Sequence, residues 1–311
     1  MRPTPPIFRA LLAGVAGLAA LAAGAAALPP EAGPLAGVID FHCHSAPDTV
    51  GRSLDSFEVV RQARAAGMRG VVLKNHFVPT AALAQLAMQE VGGIEVFGGI
   101  VLNRSVGGIN AEAVRRMVLV EGHRGKIVWL PTYDAENQVR FSKESRPFVP
   151  VVADGRPVPA LAEIFSLAVA NDLILASGHS SAAEALVVFT AARAAGVKRL
   201  LATHVLADST RATPEQMKEL AALGVVMECT WLTHLPAPAG QGVPVAECAR
   251  AIKAVGAEHF LISSDLGQAN TPVHTEGLKA FLAALKAEGL SDHELDLVSR
   301  QNPAQLLGLK P

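Results

Sequence analysis

Eight short apolar runs alternate with amphipathic, alanine-rich stretches from Gly37 to the end of the chain, and this rhythm restricts the fold more than any other feature. The runs are GVIDFHCH (37–44), GVVLKNH (70–76), EVFGGIVLN (95–103), KIVWLPTYD (126–134), DLILASGHS (172–180), RLLATHV (199–205), VVMECTW (225–231) and FLISSDLG (260–267). Most are apolar at both parities, as in parallel strands covered on both faces. The stretches between them carry legible helix ends. Ser53 and Asn110 precede helical patterns, Ser181 and Ser291 each stand three residues before a glutamate, and proline follows Thr213 at a first helical position. Gly67, Gly196, Gly224 and Gly256 close helical stretches as C-caps. Strand and helix repeated eight times over about 250 residues predict an α/β fold, a (β/α)8 or TIM barrel, over residues 37–311. The longest gap follows the fourth run, where Asp154-Gly155 between valine-rich flanks predicts a small inserted β-hairpin.

Residues 1–27 stand apart from that pattern. MRPTPPIFR carries two arginines and no acid, and an Ala/Leu/Gly run then extends from Ala10 to Leu28. A basic start, an apolar stretch and small residues at Ala25 and Ala27 predict a signal peptide cleaved after Ala27, the competing reading being an uncleaved anchor. Both place the rest of the chain outside the cytoplasm, periplasmic or extracellular, with membrane contact only through that segment. The formal net charge of −1 gives no basic excess for nucleic acid. Three cysteines, an odd number, do not indicate a disulfide framework. A homo-oligomer is compatible with the sequence.

In such a barrel, chemistry projects from the C-terminal ends of the strands. His42 and His44 end the first run, His179 the fifth, His204 the sixth and Asp265 the eighth. Strand parity turns His42 and His44 to one face and Cys43 to the other, toward the helices. Four imidazoles and a carboxylate make a borderline-soft site suited to zinc or a similar divalent ion. Such an ion acidifies its bound water, and Asp265, the expected catalytic residue, takes the proton and returns it to the leaving group. Asp40, two residues before His42, is expected one layer deeper, holding an imidazole by its second nitrogen.

The order His-x-His, His, His, Asp, with ISSDLGQ and the closing NPAQLLGL (302–309), resembles the amidohydrolase superfamily of metal-dependent hydrolases. GMRGVVLKNHFVPT, EVFGGIVLNRSVGGIN and LISSDLGQ resemble a bacterial subgroup of it, mostly of unassigned function. The resemblance implies the barrel and a metal-dependent reaction on a small molecule better than it implies the substrate. One departure stands out. Many binuclear members bridge two ions with a carboxylated lysine or a glutamate on strand four, and PTYD (131–134) offers no lysine there. Lys74 is the nearest substitute, either as a bridging carbamate or as an ammonium contacting a substrate carboxylate or Asp265, so one or two ions stay open. His76, Asn103 and Glu228 are expected substrate contacts near the mouth, with a role as metal ligand the alternative for His76 and Glu228.

Amide, lactone or ester hydrolysis is favoured over phosphoester hydrolysis, since no phosphate-binding glycine loop or arginine cluster marks the mouth. A metal-dependent decarboxylase or isomerase on the same barrel is the first alternative. An exported, non-catalytic metal- or solute-binding protein is the second.

Overall fold

The structure, a computed structural model, describes residues 33–310, so the expected signal or anchor segment lies outside the described residues. Eight strands pair in parallel in chain order: β1 (Ile39–Cys43), β2 (Gly70–Leu73), β3 (Glu95–Val101), β4 (Gly125–Trp129), β5 (Ile174–Ala176), β6 (Arg199–Ala202), β7 (Val226–Thr230) and β8 (Phe260–Ser263). The first and last strands meet just beyond their ends. Asp265 N–H donates to His42 O at 2.7 Å and His44 N–H to Leu266 O at 2.8 Å. Between β4 and β5, two short antiparallel strands, Val152–Ala153 and Arg156–Pro157, flank Asp154 and Gly155. No described helix is long and apolar enough to cross a membrane.

Helices between the strands begin where side chains satisfy their free N–H groups. Ser181 with Glu184, Thr213 with Gln216 and Ser291 with Glu294 form reciprocal caps, and Asn110 accepts from Ala113 N–H. The helix Ser56–Ala65 starts two residues later than Ser53 suggests. Its cap is Asp55, paired with Glu58 in the same reciprocal way.

Two apolar layers result. Ile39, Phe41, Val72, Phe97, Ile127 and Trp129 fill the barrel interior, and Ala304, Leu306 and Leu307 of the helix Asn302–Leu307 pack against them. Alternate residues such as Val38, Cys43, Val71 and Val128 pack outward against helices. Each fully buried side chain of this size contributes about 1.5–3 kcal/mol relative to exposure, and the layers together fix the strand ends that carry the polar groups. Gly99 makes room for the largest of them. A Cβ there would lie 2.1 Å from Ile127 O and 2.7 Å from the Trp129 ring.

One departure from strict alternation bears on the site. The β1–β2 register shifts between Asp40 and Cys43. Ile39 and Phe41 belong to the interior layer, whereas Asp40 meets His274 of the helix His274–Ala287 and Cys43 joins the outer layer. The irregularity separates the facing of Asp40 from that of His42, which regular strand parity would have made the same.

Candidate metal centre

His42 and His44 at the end of β1 and Asp265 just after β8 bring three atoms together. His42 Nε2 lies 3.3 Å from His44 Nε2 and 2.9 Å from Asp265 Oδ1, and His44 Nε2 lies 3.1 Å from the same oxygen. All three residues are buried, and Asp265 alone keeps part of its side chain open. Lys74, following β2, places Nζ 3.1 Å from His42 Nε2 and 5.4 Å from the centre of the Trp129 ring. Across the mouth, the His179 and His204 ring centres are 4.9 Å apart, and His204 stacks 6.2 Å from His42. The six expected ligands therefore converge, five of them (all but His42) lining a cavity of about 280 Å³, small among ligand pockets.

Hydrogen bonding behind the rings fixes which nitrogen carries the proton. His44 Nδ1 donates to the backbone carbonyl of Lys74 at 2.9 Å, a group that can only accept. His42 Nδ1 faces the Glu228 carboxylate at 3.2 and 3.3 Å. His204 Nδ1 lies 3.1 Å from Thr210 Oγ1, whose own hydrogen goes to His204 O at 2.8 Å, leaving the hydroxyl to accept. His179 Nδ1 donates to Gln138 Oε1 at 3.0 Å, the Gln138 amide nitrogen being turned to Ser142. Every one of these four rings in its neutral form thus has its hydrogen on Nδ1 and a bare Nε2.

Two bare imidazole nitrogens and a carboxylate oxygen in mutual contact repel unless a cation or a proton lies among them. Burial opposes protonation of His42, yet the carboxylates of Asp265 and Glu228 outweigh it and raise its pKa. Burial takes His44 and His204 the other way, to about 4, and holds His179 and His76 well below the ordinary histidine value. Burial would raise Asp265, but the two histidines beside it keep its carboxyl well below the usual carboxylate range. Burial also lowers Lys74 to about 8. The donor set, two imidazole nitrogens and one carboxylate with a basic nitrogen beside them, fits a divalent first-row ion.

The backbone is bent to achieve this. His204 and Asp265 adopt left-handed φ values of 30° and 54°, each costing about 1–2 kcal/mol in a non-glycine residue, a strain typical of functional sites. Before His179 the chain passes Gly178 (φ 60°), where a Cβ would fall 2.2 Å from Leu130 O and 2.4 Å from Pro131 O. That close approach lets His179 N–H bond to Pro131 O at 3.0 Å.

Residues 37–228 match the model of a family of unknown function, DUF6282. The chain belongs to DUF6282. No curated protein matches the DUF6282 chain. Solved structures similar to it include the organophosphorus hydrolase from Deinococcus radiodurans, at 13% identity and TM-score 0.56 over 92% of this chain and 100% of that one. An amidohydrolase from Burkholderia multivorans with bound zinc matches at 15% identity and TM-score 0.57, over 88% and 100%. A protein provisionally named 2-pyrone-4,6-dicarboxylic acid hydrolase, from Pseudomonas putida, matches at 19% identity and TM-score 0.59, over 88% and 98%. These relatives in fold are amidohydrolase-superfamily members, and at such identities the likeness establishes the barrel of this DUF6282 protein.

Three expected contacts fall differently across the site. His76 lines the cavity, its ring stacked 4.8 Å from His44 and 4.3 Å from Tyr133. Glu228 does not reach the cavity. It faces inward, as parity requires, but sits one layer below, accepting from His42, from Ser263 Oγ at 2.7 Å and from His204 N–H at 3.2 Å. Asn103 is likewise behind the wall, its amide spent on Thr132, Asp134 and the His76 carbonyl. The role expected of Asp40 belongs to Glu228. The Asp40 carboxylate instead accepts the backbone N–H groups of Ser264 (2.9 Å) and His42 (3.3 Å) and faces His274 Nδ1 at 3.4 Å. Sequence reasoning missed Thr210 and Gln138, the partners of His204 and His179, and Tyr133 at the rim. Thr210, six residues after His204, was the findable one, since a hydroxyl can close a short loop onto an imidazole.

Proposed function

We propose that this chain is a metal-dependent hydrolase that uses activated water on an amide, lactone or ester bond of a small molecule. The observation that carries this reading is the meeting of three lone-pair atoms, His42 Nε2, His44 Nε2 and Asp265 Oδ1, within 3.3 Å of one another, with the histidine protons committed elsewhere. These residues would hold one divalent ion, and His179 and His204, with Lys74 in its neutral form, offer donors for a second. When bound, the ion polarises a substrate oxygen and acidifies water.

The residues around it have separable tasks. Asp265 keeps its second oxygen free of hydrogen bonds among the described residues, so it can accept a proton from water at the cavity floor and deliver it to a leaving group. Glu228 and the Lys74 carbonyl hold the two imidazoles in the ligating tautomer. Among the described residues Lys74 is the one ammonium lining the cavity and no arginine lines it, which favours a carbonyl centre over a phosphoester. That same ammonium, placed to pair with a substrate carboxylate, supports decarboxylation or isomerisation of an acid as the second reading.

Export belongs to the proposal as well, resting on residues 1–27. Mass spectrometry of the native protein should find a start near Leu28, and an intact Met1 in a soluble cytosolic fraction would refute it. The function is tested by elemental analysis of protein purified without chelator, together with a screen of esters, lactones and amides. Near-stoichiometric transition metal and turnover of one of these classes are expected. A protein that refuses added zinc would overturn the reading, and bound metal with acid consumption but no hydrolysis would favour the second.

A further inference from the structure

Four histidines of the centre share one tautomer, and the fifth does not. His76 Nδ1 lies 2.9 Å from Thr132 Oγ1, superficially like His204 against Thr210. The two hydroxyls differ in what surrounds them. Thr132 Oγ1 already receives an N–H from Asn103 Nδ2 at 2.8 Å. Asn103 cannot be turned the other way, because its Oδ1 accepts backbone N–H groups from Thr132 at 2.8 Å and Asp134 at 3.2 Å, while Nδ2 also serves His76 O at 2.9 Å. The hydrogen of Thr132 then has one acceptor within reach among the described residues, His76 Nδ1. Thr210, by contrast, spends its hydrogen on a carbonyl. Thr132 therefore donates, His76 Nδ1 accepts, and the ring proton of His76 sits on Nε2.

That nitrogen has no hydrogen-bond partner among the described residues, and the ring lines the cavity beside the ligand His44. Stacking between His44 and Tyr133 fixes the ring plane. We propose that His76 is a substrate-contacting hydrogen-bond donor, presenting Nε2–H to the oxygen of a carbonyl compound as negative charge grows on it. The assignment rests on the hydrolase reading for its role, and on the Asn103–Thr132 network for its tautomer. A preorganised donor of this kind acts where charge develops in the transition state, in a site closed to bulk water. It also assigns Asn103 a positioning role: its fixed amide makes Thr132 a donor, two hydrogen bonds away from the substrate.

The test uses the full chain labelled with 15N-histidine and supplied with zinc. Two-bond 1H–15N spectra, with the His76 signals assigned by their loss in H76Q, should show His76 bare at Nδ1 and protonated at Nε2, opposite to His44. In T132V the bias should disappear. A wild-type His76 protonated at Nδ1 and bare at Nε2 would overturn the assignment. For turnover of an ester or lactone, H76F should lower kcat/KM by about 10²–10³ with zinc content unchanged, whereas H76Q, which keeps an N–H, should recover part of the loss. An active wild type matched within about twofold by zinc-loaded H76F would also overturn it. If the wild type binds no zinc and turns over nothing, the hydrolase reading falls, and the spectra still decide the tautomer by themselves.

Discussion

Replacing Glu228 by glutamine isolates what the layer beneath the ligands contributes. Three donors point at this carboxylate: His42 Nδ1–H at 3.2 and 3.3 Å, Ser263 O–H at 2.7 Å and His204 N–H at 3.2 Å. The residue is 1% exposed, so water cannot substitute for a lost acceptor. A glutamine keeps the shape but offers one acceptor oxygen, and its NH2 must face at least one of those donors. If the NH2 turns to Ser263, that hydroxyl can accept but its own hydrogen loses its acceptor, and if it turns the other way it opposes the His204 N–H; either way one buried group is left unsatisfied, at about 1–3 kcal/mol of folding stability. Loss of the negative charge behind His42 also makes its Nε2 a poorer electron donor. Outer partners of metal-bound histidines typically change affinity by about 10–100-fold, or about 1.4–2.7 kcal/mol. Zinc affinity, measured by competition with a chromophoric chelator, should fall in that range, and urea unfolding of the metal-free variant should give the stability loss separately. A folded E228Q that binds zinc within about twofold of wild type would refute the idea that the Glu228 charge strengthens His42 as a metal ligand.

Other consequences follow from the same geometry. Asp40→Ala strands the backbone N–H groups of His42 and Ser264 and leaves His274 Nδ1 facing an apolar gap; unfolding should become easier by about 3–5 kcal/mol in urea, and a loss under about 1 kcal/mol would contradict the arrangement. Gly178→Ala drives a Cβ to 2.2 Å from Leu130 O at a left-handed φ, so at least about 2 kcal/mol of stability should go, visible as a lowered Tm. Adding zinc to chelator-stripped protein at 100 times its Kd should raise stability by about 2.7 kcal/mol, and an unchanged Tm would speak against a site present only in the fold. All three cysteines are buried free thiols, and burial raises the pKa of Cys43 and Cys248. Since thiolate is the reactive form, native protein at pH 8 should label slowly with a disulfide reagent and take up three equivalents once unfolded.

The barrel was readable because its cause is local and repeated. Apolar runs such as KIVWL and FLIS can bury both faces only in a parallel sheet clothed by helices, and the caps at Ser181, Thr213 and Ser291 are written within four residues of sequence. The convergence of the candidate ligands was readable for a related reason: a polar residue directly after an apolar strand is delivered to the mouth whatever the loop does next. Parity supplied the facing of Glu228 but not its depth, which depends on where β7 sits along the barrel axis relative to β1. For Asp40 parity failed outright, because the register shift in β1 comes from pairing with β2 and leaves no mark on residues 38–44 themselves.

What stayed hidden was the second layer, and the reason is combinatorial. Whether an imidazole offers a lone pair or a proton depends on one hydrogen two bonds away, and that hydrogen is set by partners the sequence scatters. Thr132 and Thr210 are the same residue type, each against Nδ1 of a histidine at the same rim, at 2.9 and 3.1 Å. Only Asn103, 29 positions from Thr132, makes the first a donor, and only the His204 carbonyl makes the second an acceptor. One loop thereby presents a proton to the cavity and the other a lone pair. A site with the proposed function, holding a cation and stabilising an anion, needs one of each, and here the difference rests on hydroxyl bookkeeping rather than on the identity of the ring.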